Sequence, residues 1–497
     1  MINIQKINDQ ALTLKSDIAG EFPIYVYVSA ARNLLLYGEN IVELLNDDRV
    51  KKPLKISNEG LSFLLQSGVV PPPKSIYKNV YILGIGNILE VKTVNNKLDL
   101  NFKYYFPFYN KNRLKKEEMI PSVEKILELV SSATIDKIDT SKDSFLFHSA
   151  GKDSNTIALA LAEAGWQDKV TLVSHKSKGA SDESEISKSI ATQLGFKHKI
   201  LQEVDNLQTK DKEVVDDYFK NVPFPCTDNV TLAYPFYSNQ MPELKEANII
   251  DGGGNDSYMM TPLKARETKV LPISKIMQNF QFLRKYLNSE SYITPFLRTP
   301  PEWFGMNGFN YKDAKLIFPP IKIISEFWRN EVTKRNNFES IDFKTDIYST
   351  ITIAEMHIRK ARNFSDSIGA NLILPFANED VANYFRKMPE EYLFNRKTLK
   401  NKLILRELLN NKINLNSDQI GKRAFTYDSH TLIIENWGLI SSEILSCKSW
   451  DQKGISELLK RMKSSINTSG WSARASGRLL YRLYLISGWL NKNKWLE

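Results

Sequence analysis

The chain has 497 residues, of which 42% are apolar and 25% charged, and this composition is typical of globular proteins and argues against long disordered segments. Such a length predicts two or more domains. The net charge of +10 comes from 67 basic and 57 acidic residues that are interspersed, which favours a solvated surface over a nucleic-acid face. Two cysteines, Cys226 and Cys447, exclude a disulfide framework and a zinc site, so we expect a cytoplasmic protein.

Two further absences bear on the location of the chain. The first fifteen residues, MINIQKINDQALTLK, lack the basic and apolar regions of a signal peptide. No stretch of about 18 uninterrupted apolar residues occurs. We therefore expect neither secretion nor a membrane partner.

Residues 1–110 carry the signals of a small, mostly β domain. Strands are predicted for PIYVYVSA and within VYILGIGNILEVKTVNNKLDLNFKYYF, where Asn95 and Asn96 mark a turn, and YGENIVELL has a hairpin-like pattern. Residues 111–143 are charged, with a helical pattern at VEKILELVSSA, and are predicted to link this domain to the next. The second domain is then predicted to span residues 144–497.

Strands and helices alternate after the linker. Strands at FLFHSA, VTLVSH and HKIL are separated by helical patterns of about 10–15 residues, which predicts a parallel α/β sheet. Past Lys264 the pattern is mostly helical, with an aromatic- and proline-rich insertion at Ile293–Pro320. The apolar spacing of RLLYRLYLISGWL near the C-terminus predicts a helix that docks on the protein's own core.

The segment Phe145–Ser154, FLFHSAGKDS, is an apolar strand that ends in small and polar residues before a helical pattern over Asn155–Ala164. Small residues let backbone N–H groups approach an anion, and a helix N-terminus adds partial positive charge. Asp153 is a candidate Mg²⁺ ligand. An ordinary polar turn is the alternative. The candidate nucleotide-binding residues are Ser149, Ala150, Gly151, Lys152, Asp153 and Ser154.

A second turn, in IIDGGGNDSYM, follows another apolar strand and contains Gly252, Gly253, Gly254 and Asp256. Ligands of open α/β sheets bind beyond the carboxyl ends of strands, so both turns are predicted to face one crevice. Asp153 and Asp256 would then share Mg²⁺ and pyrophosphate, since Mg²⁺ is commonly held by one or two carboxylates plus phosphate oxygens. The alternative is a tight turn with a helix-capping aspartate.

A third element is the run KNKLILRELLNNKINLNSDQIGKRAF, whose cations accompany a helix and the loop after it. Such cations can neutralise departing pyrophosphate or stabilise an oxyanion, although lysines and arginines on a helix are more often only solvated. The cations concerned are Lys402, Arg406, Lys422 and Arg423.

Together these motifs resemble the asparagine synthetase family, which includes relatives that make β-lactam rings and lasso peptides. SAGKDS is similar to its Ser-Gly-Gly-x-Asp-Ser pyrophosphate loop, DGGGND to its Ser-Gly-x-Gly-x-Asp, KLILR to its Lys-x-x-Leu-Arg helix, and KRAF to its Lys-x-Gly-Phe loop. The resemblance implies an ATP-pyrophosphatase domain with a parallel sheet and a helical C-terminal part. It further implies ATP and Mg²⁺ as cofactors, and an adenylated intermediate.

By the same resemblance, Ser149, Gly151, Asp153 and Ser154 bind pyrophosphate, Asp256 binds Mg²⁺, and Lys422 stabilises the adenylated intermediate. Val173 and Ser174, at the next strand end, would contact adenine, and the glycines of the second turn would lie at the nucleotide. His198 matches a family position, although a lone histidine is more often structural.

The chain departs from the family in two places. LSFLLQSGVVPPPKSIYKNVYILGIGNILEV is similar to part of the family's glutaminase domain, but position 2 is Ile2 and no cysteine precedes Cys226, so no glutaminase is expected. In the family, the residue that helps to deprotonate the amine is a glutamate or, in some members, is thought to be a tyrosine. In this chain the middle position of the DGGGND motif is Gly253. Asp228 could supply that carboxylate, and a helix N-cap is an equally good role for it.

The predicted function is an ATP-dependent ligase that adenylates a carboxylate and couples it to an amine or ammonia. The expected partners are a small-molecule or peptide carboxylate and an amine donor, with no nucleic acid, and the sequence leaves a homo-oligomer open. One alternative is a tRNA-modifying ATP pyrophosphatase similar to lysidine synthetase. The other is a catalytically inactive nucleotide-binding scaffold, which the departures at Ala150 and Gly253 suggest.

Overall fold

The computed structural model of the chain describes residues 11–108, 113–178, 182–420 and 426–496, and the backbone of residues 3–6. Two antiparallel sheets come first in the chain, a five-stranded parallel sheet follows, and helices dominate the remainder. The α/β class with a parallel sheet is thus confirmed. The boundary predicted at residue 110 lies outside the described residues.

The first part of the chain forms two antiparallel sheets of order β1-β4-β3-β5 and β2-β6-β7. Alternate side chains of strands β2 to β7 share one apolar core, to which β3 contributes Val26 and Val28 and β6 contributes Leu89 and Val91. The strands are β1 Asn3–Lys6, β2 Leu12–Lys15, β3 Ile24–Val28, β4 Leu34–Gly38, β5 Val80–Leu83, β6 Asn87–Val94 and β7 Lys97–Tyr104. Two helices, α1 Ile41–Asn46 and α2 Asn58–Ser67, lie between β4 and β5.

Local backbone chemistry decides two details of these sheets. The turn predicted at Asn95 and Asn96 is confirmed: both residues have positive φ, and Val94 pairs with Lys97 across a two-residue hairpin. The hairpin-like reading of YGENIVELL is wrong, because β4 ends at Gly38 and the Asn40 side chain caps α1 by accepting from two backbone N–H groups.

The parallel sheet has the strand order β10-β9-β8-β11-β12, so its first strand in the chain, β8, lies at the centre and the order reverses between β8 and β11. Its strands are β8 Ser144–Phe147, β9 Thr171–Lys176, β10 Lys197–Gln202, β11 Asn248–Ile250 and β12 Asn371–Ile373. The helices around these strands are α3 Val123–Ile135, α4 Lys152–Glu163, α5 Ser184–Leu194, α6 Thr209–Asn221, α7 Ala233–Gln240 and the 3₁₀ helix Pro242–Leu244. The helix predicted over Asn155–Ala164 therefore begins three residues earlier, at Lys152, because Gly151 is its N-cap.

The part of the chain after β11 is mostly helical, as predicted. Its first half contains α8 Ala265–Met277, 3₁₀ helices Gln278–Lys285 and Thr294–Leu297, α9 Pro300–Trp303, α10 Tyr311–Ile317, α11 Ser325–Thr333, α12 Ser340–Ile347, the π-helix Tyr348–Ile358 and α13 Arg359–Ile368. Its second half contains 3₁₀ helices Pro375–Ala377 and Glu390–Tyr392, α14 Glu379–Lys387, β13 Phe394–Asn395, β14 Lys400–Asn401, α15 Leu403–Ile413, α16 Ser417–Ile420, α17 Ser429–Glu435, α18 Trp437–Ser446, α19 Gln452–Ile466 and α20 Trp471–Lys492.

One apolar core joins the N-terminal sheets to the rest of the protein. Its members include Tyr25 of β3, Phe145 of β8 and Trp489 of α20, all buried. Tyr25 also stacks on Phe224, with 5.9 Å between the ring centres. The C-terminal helix α20 thus docks on the protein's own core, as expected. Across the described residues, no helix combines the length and apolarity needed to cross a membrane.

Candidate active site

The carboxyl ends of β8, β9 and β11 border a cavity of about 300 Å³. It lies where the strand order reverses, which is the usual ligand position of open α/β sheets. Nine of the predicted site residues line this cavity. They are Ser149, Gly151, Asp153, Ser154, Val173, Ser174, Gly252, Gly253 and Asp256.

The loop between β8 and α4 is held compact by hydrogen bonds within itself. The backbone N–H of Ser149 donates to the Ser154 hydroxyl over 3.2 Å, and the N–H of Gly151 donates to the Ser149 hydroxyl over 3.0 Å. Asn155 donates its side-chain N–H to the carbonyls of Ser149 and Gly151. Gly151 is the N-cap of α4 and has no side chain, so it makes no side-chain hydrogen bond to the first N–H groups of that helix.

Ala150 fits this loop despite its β-carbon, because it does not adopt a positive φ. Its backbone N–H donates to a carboxylate oxygen of Glu183 over 2.9 Å, and Glu183 lines the cavity. An anionic side chain therefore lies against a loop N–H group that the sequence assigns to phosphate. This position of the loop can therefore bind an anionic group.

The second turn approaches the loop closely because it is built from glycine. A β-carbon on Gly252 would lie 3.2 Å from both the Asp153 β-carbon and the Ser154 nitrogen. Gly254 has φ of +114°, and a β-carbon there would lie 2.9 Å from the backbone nitrogen of Ala377. Gly254, Ala150 and Lys152 are not among the residues that line the cavity and belong to the turns that shape it.

Lys402 joins the two predicted metal ligands. Its ammonium lies 2.6 Å from a carboxylate oxygen of Asp153 and 3.2 Å from one of Asp256, and it also donates to Asn255 over 2.8 Å. Burial alone would lower the pKa of Lys402, but the two carboxylates outweigh it and the pKa is raised above its ordinary value. Lys402 has φ of +57° at the start of α15, which turns its side chain out of the helical run.

The protein groups at this position supply only part of the ligands that Mg²⁺ needs. Asp153 and Asp256 converge on one cationic position, which the Lys402 ammonium fills. In the ranges that the structure covers, no group of three or more His, Cys, Asp and Glu side chains could hold a metal. A pair of carboxylates nevertheless matches Mg²⁺ that takes its remaining ligands from phosphate oxygens and water.

Asp251, at the end of β11, is a cavity residue that the sequence analysis did not select. Burial raises the pKa of its carboxyl group above the ordinary value, although the N–H of Gly253 donates to it over 2.8 Å. A β-carbon on Gly253 would lie 3.1 Å from the same carboxylate oxygen. The Asp251 carboxylate thus lies next to the place where the β-carbon of a larger residue at position 253 would be.

Asp228 lies behind the cavity wall rather than on it. Its carboxylate is 3.1 Å from the Lys360 ammonium and 3.5 Å from Nε2 of His357, and both partners line the cavity. Burial raises the pKa of Asp228, and the nearby Lys360 and His357 outweigh that effect and lower it. Asp228 is not a helix N-cap either, since the N-cap of α7 is Leu232. The Val230 N–H donates to it within the turn that precedes α7.

Buried polar groups support the strand end of β9. The Ser174 hydroxyl donates to Ser187 over 2.8 Å and contacts Nε2 of His198, so His198 has hydrogen-bonding partners within the fold. His148 contacts Ser187 and Asn155, and burial lowers its pKa to about 3. These neutral groups hold Val173 and Ser174 at the cavity wall.

Two predicted cations, Lys422 and Arg423, lie outside the described residues. Arg406, in contrast, is described and pairs with Asp418 over 2.5 Å at the protein surface. Lys402 is therefore the one cation of that run which the described part of the chain brings into the site.

No model of a known protein family matches the chain, and a search of curated proteins finds no significant match.

The sequence indicates Lys402, because this residue begins the KLILR motif. It does not indicate the contact of Lys402 with Asp153, which is 249 residues away in the chain. Asp251 carried a weaker signal. It occupies the first position of DGGGND, the one at which that motif differs from the pattern it resembles.

Proposed function

We propose that the protein is an ATP-dependent ligase that forms an amide bond by adenylating a carboxylate and coupling it to an amine or ammonia. The observation that carries this proposal is the convergence of the Ser149–Ser154 loop and Asp256 on one cavity at the strand-order reversal. Two of the asparagine synthetase-like motifs named above, SAGKDS and DGGGND, lie in this convergence. On this proposal, residues 144–497 form an ATP-pyrophosphatase domain, and residues 1–110 are a glutaminase-like remnant in a cytoplasmic enzyme.

In the first step, a substrate carboxylate oxygen attacks the α-phosphorus of ATP, and the bond to the β-phosphate breaks as pyrophosphate leaves with the electron pair. The loop N–H groups and the Ser149 and Ser154 hydroxyls would bind the pyrophosphate oxygens. The raised pKa of Lys402 keeps it protonated, so it would add a fixed positive charge beside the leaving group. Glu183 would release the Ala150 N–H when phosphate binds.

Asp153 and Asp256 would hold Mg²⁺, which neutralises charge on the polyphosphate when it is bound. Because Lys402 lies between the same two carboxylates, they are held together before nucleotide arrives. The Lys402 ammonium would move aside as Mg²⁺ takes its place, while the two carboxylates stay close together, which favours catalysis.

In the second step, the neutral amine attacks the acyl carbon, its proton passes to a base, and AMP leaves with the electron pair. We assign the base to Asp251, because it lines the cavity and its raised pKa suits proton transfer better than that of an ordinary carboxylate. Asp228 would act through His357 and Lys360 as a positioning residue. Lys422 would stabilise the intermediate, as the family resemblance implies.

Exchange of labelled pyrophosphate into ATP tests the first step by itself. Wild-type protein with a pool of carboxylates should catalyse the exchange, and Asp153→Asn should lower its rate by at least about 100-fold, because the loss of this carboxylate removes a proposed Mg²⁺ ligand and the transition-state stabilisation that depends on it. Asp168→Asn, an exposed aspartate after α4, is the matched control and should retain the exchange. Exchange that survives in Asp153→Asn would overturn the assignment.

A further inference from the structure

Nine large apolar side chains are exposed within residues 273–296, with exposed fractions between 38% and 73%. Six of them lie on α8 and on the 3₁₀ helices Gln278–Lys285 and Thr294–Leu297, which contact one another, and three lie in the segment between the two 3₁₀ helices. A contiguous apolar surface of this kind is unusual on a protein that functions in water alone. The side chains are those of Ile273, Ile276, Phe280, Phe282, Leu283, Tyr286, Tyr292, Ile293 and Phe296.

Five of these residues are spaced so that they form a stripe along α8 and the 3₁₀ helix that follows it. Ile273, Ile276 and Phe280 are three and four residues apart, which places them on one side of an α-helix. The 3₁₀ helix follows directly at Gln278, and Phe280, Leu283 and Tyr286 recur every three residues, the period of that helix. The apolar side therefore continues from one helix to the next.

The most exposed charged side chains of the same segment have one sign. Lys264, Arg266, Lys269, Lys275 and Lys285 are all exposed. Every carboxylate between residues 264 and 313, a range that the structure describes throughout, is buried. We call the nine apolar and five basic side chains together the apolar-basic face.

Buried ion pairs fix this face to the body of the protein. Glu267 pairs with Lys344 over 2.6 Å, and Asp313 pairs with Arg461 over 2.6 Å. Glu302 pairs with Arg284 of the 3₁₀ helix Gln278–Lys285. The apolar side chains are thus presented outward on a fixed scaffold, since the acidic groups of the same segment are buried in ion pairs.

We propose that the apolar-basic face docks the protein on an anionic lipid bilayer. Lysines attract the protein to the anionic surface, and the phenylalanine, isoleucine and tyrosine side chains enter the headgroup region. A protein partner fits less well, because protein interfaces are depleted in lysine, which supplies four of the five cations here. This peripheral contact needs no spanning helix. It differs from the sequence-based expectation of no membrane partner.

Vesicle co-sedimentation tests the proposal with the full chain. Wild-type protein should sediment with vesicles of phosphatidylcholine and phosphatidylserine at least about tenfold more than with phosphatidylcholine alone, and added salt should reduce binding. The double variants Ile276→Ser/Phe280→Ser and Lys269→Glu/Lys275→Glu should each lose most of this binding. Both change exposed side chains, so thermal unfolding should stay near that of wild type.

The matched controls are Ile434→Ser and Lys97→Glu, which change an exposed isoleucine and an exposed lysine elsewhere. Both should bind vesicles as wild type does. Equal binding to neutral and anionic vesicles, or binding that the double variants retain, would overturn the proposal. Self-association of wild-type protein without vesicle binding, abolished by Ile276→Ser/Phe280→Ser, would overturn it in favour of a second copy of the chain as the occupant.

Discussion

At the scale of single residues, the ammonium of Lys402 is the most informative group. It is buried, and its two carboxylate partners, Asp153 and Asp256, are partly exposed. Removing the ammonium would take away the cation that these two carboxylates share. Lys402 therefore has a stability role that can be measured without knowing the substrate.

We expect Lys402→Met to lower the free energy of unfolding by about 2 kcal/mol, the usual scale for lost hydrogen bonds to charged groups. Millimolar Mg²⁺ should restore part of the loss, because a metal ion supplies the missing positive charge. Thermal unfolding with and without Mg²⁺ measures both effects. A variant as stable as wild type, or one indifferent to Mg²⁺, would show that the two carboxylates do not need a cation.

Asp251 gives a prediction with a defined pH dependence. Burial raises the pKa of its carboxyl group, so the base is protonated, and amide formation falls, at a higher pH than an ordinary aspartate would give. Asp251→Asn should remove this acidic limb and reduce amide formation by about 100-fold or more, with pyrophosphate exchange retained. Profiles of kcat/KM against pH for both proteins are the measurement.

The raised pKa of Asp251 also determines how this group's contribution to stability changes with pH. A carboxyl group with a raised folded pKa binds more protons in the folded state, so its contribution to stability is largest at low pH and falls as pH rises through that pKa. Asp251→Asn should therefore unfold at the same or a higher temperature than wild type at neutral pH. A less stable Asp251→Asn would mean that the carboxylate is structural.

Much of the candidate site could be predicted from the sequence, because the loop and the glycine turn each carry their chemistry in a few adjacent residues. Lys402 and Asp251 could not be placed in the same way. The contact of Lys402 with Asp153 depends on where α15 begins, and the pKa of Asp251 depends on burial at the end of a three-residue strand. Both are consequences of packing between distant segments.

At the scale of elements, the glycine turn after β11 and the loop after β8 must approach each other. Gly252 permits this, since a β-carbon there would lie 3.2 Å from Asp153 and Ser154 atoms. The parallel order of the strands could be predicted from their alternation with helices. The distance between the two turns could not, because it depends on the register of β8 against β11.

Gly252→Ala should lower adenylation by at least about tenfold with a stability loss of about 1–3 kcal/mol, because the added methyl group forces the two turns apart. Pyrophosphate exchange and chemical denaturation measure the two effects. Gly438→Ala is the control: a β-carbon there meets nothing within 4 Å, and alanine in a helix should be neutral or stabilising. Unchanged exchange in Gly252→Ala would argue against a shared site.

At the scale of the whole molecule, Arg359 of α13 ties the N-terminal sheets to the parallel-sheet region. Its guanidinium donates to Glu355 over 2.7 Å and to the Tyr25 hydroxyl of β3 over 2.9 Å, and all three groups are buried. Glu355 and Tyr25 hold the pKa of Arg359 above its ordinary value, although burial opposes them. The sequence could not predict this link, because 334 residues separate its ends.

Arg359→Ala should lower the free energy of unfolding by about 3–5 kcal/mol, since it leaves the buried Glu355 carboxylate unpaired. Arg49→Ala removes a surface pair with Asp47 and should cost far less, because solvent and salt screen such pairs. Urea denaturation compares the two. A loss in Arg359→Ala no larger than that in Arg49→Ala would mean that the N-terminal sheets do not depend on this link.

The most direct test of the proposed ligase is the identity of its nucleotide products. Pure protein is incubated with Mg-ATP and with pools of carboxylates and amines, and the nucleotides and phosphates are separated. The proposal predicts AMP and pyrophosphate in equal amounts, released only when a particular carboxylate is present. Release of ADP and phosphate, or tight binding of Mg-ATP without AMP from any pool, would contradict it.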